Sequence, residues 1–127
     1  MSEKQPPAHG TFMWNELATT DVEAAKKFYG DLLGWQFDEM DMGEAGKYTI
    51  LKAGDKQAGG LMAMEGPQWE GIPPHWMSYI AVDDVDACAQ KAGDNVKVPP
   101  FDIPGVGRMC VIVDPQGAAI SLMTPGS

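Results

Sequence analysis

The chain repeats itself once, and this repeat limits the folds open to it more than any other feature. Residues 20–24 align with residues 83–87 at an offset of 63, and both segments follow a short run with strand character. Residues 46–51 align with residues 107–112 at an offset of 61, and the same offset carries Gly60 onto Ser121. Two matches in the same order and at nearly equal offsets predict a doubled supersecondary unit.

Each half has the pattern of one helix among strands. Thr20 with Glu23 predicts a capping box at the start of the first helix, and Asp83 with Asp86 predicts a weaker, acidic version at the second. Apolar residues then recur at helical spacing and give each helix one apolar face. These residues are Val22, Ala25, Phe28, Tyr29 and Leu32 in the first helix, and Val85, Cys88, Ala89 and Ala92 in the second.

Three strand candidates follow each helix. They are Trp35–Phe37, Lys47–Ala53 and Gly59–Met64 in the first half, and Val96–Val98, Arg108–Val113 and Ala118–Met123 in the second. Asp114-Pro115-Gln116-Gly117 predicts a hairpin turn, because proline presets one φ angle and glycine permits a positive one. The stretch from Pro99 to Gly107 predicts a loop. Each half is therefore βαβββ, and the predicted fold class is α+β.

The length of 127 residues suits one domain with a proper core and is too short for two ordinary domains. We expect a flexible leader at residues 1–9 and a single domain over residues 10–127. Its first repeat would cover about 10–64 and its second about 75–124.

The charge of the chain excludes several classes of partner. The formal net charge is −9 and no basic cluster occurs, so nucleic acid and anionic membrane surfaces would repel the protein. No apolar run is long enough to span a membrane, and the N-terminus has no signal-peptide pattern. Cys88 and Cys110 share no CxxC spacing, which favours free thiols in the cytoplasm.

A doubled βαβββ chain of this length resembles the vicinal oxygen chelate superfamily of glyoxalases, bleomycin-resistance proteins and extradiol dioxygenases. The resemblance is carried by Asp21, by Phe28-Tyr29 before Leu32-Leu33-Gly34-Trp35, and by the DPxG pattern at residues 114–117, and it covers roughly residues 10–124. The segment from Trp14 to Asp21 resembles the glyoxalase-like subgroup. The resemblance implies two repeats that curl into an open, U-shaped sheet cleft holding the ligand or metal, and subunits that pair as homodimers.

The same resemblance implies four metal-ligand places, usually occupied by His or Glu. Counted from the family motifs and the repeat, these places hold Trp14, Gly60, Met77 and Ser121. None of these residues suits a divalent metal, which needs imidazole, carboxylate or thiolate donors. We therefore expect no cofactor, and we expect the glyoxalase-like subgroup without the usual ligands.

Strand alternation predicts what faces the cleft instead. Trp14 would bring Glu16 to the same face, Met77 would bring His75 and Tyr79, and Met62 would fill gaps adaptably. A buried, unpartnered Glu16 could act as a general base, whereas a Glu16 at the rim or paired with a neighbour would be structural. His75 could join Glu16 as an acid/base pair or as part of a displaced metal site, or could simply face solvent.

Three functions remain open from the sequence. The first is a metal-free protein that binds a small apolar or aromatic molecule through Trp14, Glu16, Gly60, Met62, Met77, Tyr79 and Ser121. The second is a metal-independent lyase or isomerase that uses Glu16 as general base, with a tyrosine or His75 as its partner. The third is a metal-dependent lyase or dioxygenase with a displaced site. The fold alone does not decide among them.

Overall fold

A computed structural model describes residues 7–41, 47–103 and 106–126, with the side chain of Gln68 excepted. The described residues form eight strands and two α-helices, so the predicted α+β class is confirmed. They divide into two compact units. We call residues 14–77 the first-repeat unit, and we call the residues from 78 onward, together with those before 14, the second-repeat unit.

The elements follow the predicted order. In the first half they are β1 (Phe12–Thr19), α1 (Val22–Leu33), β2 (Gln36–Asp41), β3 (Lys47–Ala53) and β4 (Lys56–Ala63). In the second half they are β5 (His75–Ala81), α2 (Val85–Ala92), β6 (Val96–Ile103), β7 (Gly107–Val113) and β8 (Ala119–Pro125). Short 3₁₀ turns occur at Pro67–Trp69 and Gly93–Asn95. None of the described helices is long and apolar enough to cross a membrane.

The strands of the two units pair in the same way. The first-repeat unit has the order β2-β3-β4-β1, and the second-repeat unit has the matching order β5-β8-β7-β6. Strands β1 and β4 run parallel with Glu16 opposite Gly60, while β5 and β8 run parallel with Tyr79 opposite Ser121. The offsets of 63 and 61 therefore map one register onto the other, and the internal repeat is confirmed.

Both helices begin one residue later than the sequence pattern predicted. Asp21 caps α1 by accepting a hydrogen bond from the amide of Ala24, and Asp84 caps α2 by accepting one from Ala87. The predicted capping boxes at Thr20 and Asp83 are wrong. The aspartate carboxylate at the next position reaches the free amides of the first turn and leaves the preceding residue outside the helix.

Both helices end at a glycine with a positive φ angle. Gly34 follows α1 with a φ of 75°, in the left-handed conformation that glycine adopts without steric cost. Its amide donates to the carbonyl of Gly30. Gly93 ends α2 with a φ of 57°. The helix boundaries at the C-terminal side are therefore set by local backbone chemistry.

Each unit packs its helix on one face of its own strands. Leu17, Leu51 and Leu61 form the first core, and Val22, Ala25 and Tyr29 of α1 pack against it. Val82, Val85, Cys110 and Leu122 form the second core, with Cys88 and Ala89 against it. The predicted apolar face of α1 was too wide, because Phe28 and Leu32 are exposed. Of the predicted apolar face of α1, only Val22, Ala25 and Tyr29 pack against the core of the strands.

The second-repeat unit confirms the predicted hairpin and corrects the predicted loop. Gly117 has a φ of 95°, and the Asp114 carboxylate accepts hydrogen bonds from the amides of Gln116 and Ala118. Strand β6 runs on through Pro99 and Pro100 to Ile103, where a loop was expected. It lies at the end of the strand order and has two register shifts against β7. Prolines are tolerated on such an edge strand.

Candidate functional site

Strand β1 presents different chemistry on its two faces. Leu17 points toward α1, so Glu16 and Trp14 project from the opposite face by strand alternation. Glu16 is buried, with 9% of its surface exposed, and Trp14 is half-buried. A carboxylate removed from water needs hydrogen-bonded partners. The identity of those partners therefore decides what this face can do.

Tyr48 of β3 connects Trp14 to Glu16. The indole Nε1–H of Trp14 donates to the Tyr48 hydroxyl over 2.9 Å. The same hydroxyl donates to Oε2 of Glu16 over 2.6 Å, the short distance of a hydrogen bond to a carboxylate. We call this group the Trp14–Tyr48–Glu16 chain. All of its members lie in the first-repeat unit, and one hydroxyl serves as both acceptor and donor.

Gly60 provides the space in which the Tyr48 hydroxyl lies. A Cβ atom placed on Gly60 would lie 1.7 Å from the Tyr48 hydroxyl oxygen and 2.3 Å from Cζ of the ring. No side chain can occupy position 60 while Tyr48 keeps this place. One of the four predicted ligand places is therefore filled by the phenol of another residue, which reaches it from strand β3.

Burial keeps the Tyr48 phenol neutral. The pKa of Tyr48 lies far above its ordinary value of 10.0, chiefly because the ring is withdrawn from water. The negative charge of Glu16 and the hydrogen bond to it raise this pKa further, while the bond from Trp14 opposes the rise. The group is therefore a protonated phenol held against a carboxylate throughout the physiological pH range.

Tyr48 was not among the site residues predicted from the sequence. The predicted residues lie on the first and fourth strands of each half, and Tyr48 lies on the third strand of its half. One available signal was the Gly59-Gly60 pair inside a strand, which indicates a close approach by another group. For Gly59 that group is the backbone carbonyl of Asn15, whose oxygen lies 2.5 Å from the place that a Cβ atom on Gly59 would take. For Gly60 it is the Tyr48 side chain.

The other predicted site residues have varied surroundings. Tyr79 and Ser121 are buried partners in the register of β5 and β8, the places equivalent to Glu16 and Gly60. Met62 and Met77 are half-buried. His75 is hydrogen-bonded through Nδ1 to the carbonyl of Pro73 over 2.9 Å, and its ring lies 6.2 Å from that of Trp69. Among all the site residues predicted from the sequence, the structure brings Trp14, Glu16 and Gly60 together in one group within the first-repeat unit.

The residues at the four ligand places do not fit a divalent metal. Gly60 has no donor, the indole of Trp14 only donates, and Ser121 and Met77 offer a neutral hydroxyl and a thioether. Across the described ranges, no three His, Cys, Asp or Glu side chains come close enough together to hold a metal ion. No chemical step can therefore be derived through a metal at these places.

Two further features lie apart from the Trp14–Tyr48–Glu16 chain. A cavity of about 360 Å³ opens on the α1 side of the first-repeat strands, and it is lined by Val22, Glu23, Glu39, Lys47, Thr49, Leu61, Ala63 and Glu65. Next to it, Lys26 bridges Glu39 over 2.8 Å and Glu23 over 3.5 Å. In the second-repeat unit, Nδ1 of His9 accepts a hydrogen bond from the amide of Asp83, a contact that the sequence did not indicate.

Comparison with known proteins identifies the family. Residues 11–53 match the model of the bleomycin resistance protein-like N-terminal family. A glyoxylase-like domain-containing protein of Didymella fabae is 33% identical over 104 residues, which cover 78% of this chain and 78% of that protein. The chain belongs to the glyoxalase and bleomycin-resistance superfamily. Its predicted membership is confirmed.

Longer relatives of this glyoxalase-like chain occur in Mycobacterium and Streptomyces. CFP32 of Mycobacterium tuberculosis, named as a candidate glyoxylase, is 44% identical over 119 residues. The anthracycline biosynthesis protein DnrV of Streptomyces peucetius is 32% identical over 133 residues. The matches cover 91% and 94% of this chain. The chain spans only 44% and 48% of the length of these two relatives.

Solved structures support the same fold. A superfamily member from Vibrio splendidus superposes with a TM-score of 0.60 at 18% identity, covering 91% of this chain and all of that one. The methylmalonyl-CoA epimerase of Streptomyces coelicolor gives a TM-score of 0.61 at 19% identity, covering 94% of this chain and all of that one. At such low identity these structures are evidence for the fold of this glyoxalase-like chain and not for its activity.

Proposed function

We propose that this glyoxalase-like chain binds a small apolar or aromatic molecule without a metal, on the face of the first-repeat unit that carries Trp14. The observation that supports this most is the Trp14–Tyr48–Glu16 chain, in which a phenol lies between an indole and one buried carboxylate. A mostly apolar surface with a few fixed polar groups is typical of small-molecule sites. Two relatives named for anthracycline biosynthesis are consistent with an aromatic ligand in the family.

The geometry favours binding over catalysis by Glu16. The carboxylate oxygen Oε2, which would take a proton from a substrate, already accepts the Tyr48 proton over 2.6 Å. A lyase or isomerase that used Glu16 as general base would have to break this bond, or use the other oxygen. His75, the proposed partner in such a reaction, uses Nδ1 on the carbonyl of Pro73.

A ligand screen with matched variants tests the proposed function. Aromatic compounds, neutral and cationic, are screened by thermal shift, because a ligand of the folded state raises the melting temperature. Trp14→Ala should weaken the affinity of a ligand found in this way at least tenfold. Trp69→Ala, which removes an indole outside the Trp14–Tyr48–Glu16 chain, should leave it unchanged. Equal losses in the two variants would contradict the proposal.

The alternatives predict other results in the same samples. Turnover that Glu16→Gln abolishes, with ligand affinity retained, would establish the lyase or isomerase. Stoichiometric Zn, Ni, Mn or Fe in the purified protein would establish the metal-dependent enzyme and remove the proposal that no cofactor is needed. A cytoplasmic location is part of the proposal, and it is supported by the free thiols of Cys88 and Cys110 in the second core.

We also propose that two copies of the chain pair through α1. Phe28 and Leu32 are exposed on this helix, and the ring of Phe28 meets that of Tyr29, which meets Trp76. Apolar patches of this kind mark interaction surfaces. Lys27 and Asp31 flank Phe28, so two antiparallel copies of α1 would set each lysine against the partner's Asp31.

Sedimentation measurements test this pairing. The wild-type chain should have the mass of a dimer at micromolar concentration. Leu32→Lys should have the mass of a monomer, because it places a charge in the apolar contact. Gln90→Lys, an exposed substitution on α2, should remain a dimer. A dimer that persists in Leu32→Lys would remove α1 as the interface.

A further inference from the structure

The Trp14–Tyr48–Glu16 chain has the construction of a receptor for a hydroxyl group. Trp14 and Glu16 lie two residues apart on one face of β1, so their Cα atoms are roughly 7 Å apart and both side chains project to the same side of the strand. The indole N–H can only donate, and an ionised carboxylate can only accept. The group between them must therefore both accept and donate. A hydroxyl does so, while a ketone, an ether or a carboxylate does not.

The Tyr48 phenol occupies the place beside Trp14 and Glu16 that the absent side chain of Gly60 leaves open. Gly60 lies opposite Glu16 in the β1–β4 register, and its missing side chain leaves room for the hydroxyl, Cζ and Cε2 of Tyr48. A Cβ atom on Gly60 would meet all three within 2.8 Å. The backbone of β4 thus lies on one side of the Tyr48 phenol, and the Trp14 indole and the Glu16 carboxylate of β1 contact its hydroxyl.

We propose that Trp14, Glu16 and Gly60 form a binding site for the hydroxyl end of a phenol, and that Tyr48 fills this site from within the chain. The ligand class is then a hydroxylated aromatic compound in its neutral form, which takes the place of the Tyr48 hydroxyl. Only this last step, the nature of the natural ligand, rests on the proposed function. The site itself stands on the geometry of the first-repeat unit.

The protonation of Tyr48 agrees with this assignment. Burial and the carboxylate raise the pKa of this phenol, so the site selects the protonated form. A phenolate in the same place would be repelled by Glu16 and would have no proton to donate to it. Ligands that are ionised at neutral pH should therefore bind less well than neutral phenols of the same shape.

Removing the Tyr48 side chain should open the site to an added phenol. In Tyr48→Ala, 4-methylphenol should raise the melting temperature saturably, and calorimetry should show one site. The wild-type chain should bind 4-methylphenol at least tenfold more weakly, because Tyr48 occupies the place. Toluene and 4-methylanisole should bind the variant at least tenfold more weakly than 4-methylphenol, because neither can donate to Glu16.

Two controls separate hydroxyl recognition from the filling of a void. Tyr29→Ala removes another tyrosine of the same unit. The hydroxyl of Tyr29 accepts a hydrogen bond from the indole of Trp76, and no hydrogen bond from it to a carboxylate occurs among the described residues. This variant should show no preference for 4-methylphenol over toluene. Adding Glu16→Gln to Tyr48→Ala should reduce that preference, because a neutral amide is a weaker acceptor than a carboxylate.

Several results would overturn the proposal. A folded Tyr48→Ala that binds neither compound, or that binds toluene as tightly as 4-methylphenol, would show that no hydroxyl site exists. Equal binding of 4-methylphenol to wild type and variant would show that Tyr48 does not fill it. If Tyr48→Ala does not fold, Tyr48→Val keeps a strand-forming residue and serves the same test. The proposed function fails separately, when no ligand of the wild-type chain is found.

Discussion

The two units share one scaffold but differ in what the strands present on the face away from the helix. In the first-repeat unit, equivalent places hold Trp14, Glu16, Tyr48 and Gly60, and these form a hydrogen-bonded group around a carboxylate. The repeat offsets carry those places to Met77, Tyr79, Met109 and Ser121 on the strands of the second half of the chain. There is no carboxylate among the latter, and two methionines replace the indole and the phenol.

The two units therefore share the same backbone and core, while the hydrogen-bonded polar group around a carboxylate occurs in the first-repeat unit. Register, strand order and helix caps match between the units. Both helices pack on a cluster of buried apolar residues. A change that disturbs the Trp14–Tyr48–Glu16 chain should therefore have no counterpart at the equivalent second-repeat position. A change to the scaffold should cost the same in both units.

The largest difference should come from Tyr48→Phe. This substitution keeps the ring but removes the hydroxyl, so Trp14 and the buried Glu16 both lose a hydrogen bond, at a cost of about 1–3 kcal/mol in the free energy of unfolding. Tyr29→Phe loses only the 3.3 Å contact from Trp76 and should cost less than about 0.5 kcal/mol. Urea unfolding of both variants measures the contrast, and equal losses would contradict it.

A second difference should appear at high pH. The raised pKa of Tyr48 keeps this phenol protonated in the folded chain, while in the unfolded chain the phenol ionises near its ordinary pKa of 10.0. The stabilisation is therefore complete below pH 10 and is lost as the pH rises beyond it, by up to about 1.4 kcal/mol per pH unit. Unfolding between pH 9 and pH 11 should show this loss in the wild type. Tyr48→Phe should show a shallower decline, and an unchanged slope would count against the buried phenol.

The N-caps of the two helices should contribute equally to stability, and their removal should have the smallest effect of these changes. Asp21→Ala and Asp84→Ala each remove an N-cap hydrogen bond, of 3.0 Å and 3.1 Å, and should each cost about 1 kcal/mol. Thr20→Ala and Asp83→Ala, one residue earlier, should cost clearly less than the capping positions. Thermal or urea unfolding of the four variants decides the matter. A larger loss at Thr20 than at Asp21 would restore the capping box that the sequence suggested.

The scaffold could be predicted from the sequence because its determinants are local. The offsets of the repeat predicted which places of the two halves are equivalent, and the matching registers of Glu16 with Gly60 and of Tyr79 with Ser121 agree with them. The glycines that end the helices and the turn at Asp114 act through backbone conformation alone. Helix starts were one residue off, because Thr20 and Asp21 are both good capping residues and only the entry angle of the chain selects between them.

The polar group could be predicted only in part, because it depends on contacts between strands that are distant along the chain. Glu16 and Trp14 followed from alternation along a single strand. The role of Tyr48 depends on a partner 32 residues away and on the space left by Gly60. Glycine at a predicted ligand place indicated a missing metal ligand, but the sequence did not say what fills the place. That answer required the pairing of β3 with β4.

A double-mutant cycle between Gly60 and Tyr48 measures whether the Tyr48 phenol occupies the space over Gly60. Gly60→Ala should cost about 1–3 kcal/mol in the wild-type background, because its Cβ would overlap the Tyr48 hydroxyl. In the Tyr48→Ala background the same change should cost little, and the difference is the coupling energy between the two positions. Equal costs of Gly60→Ala in both backgrounds would show that Tyr48 does not lie over Gly60.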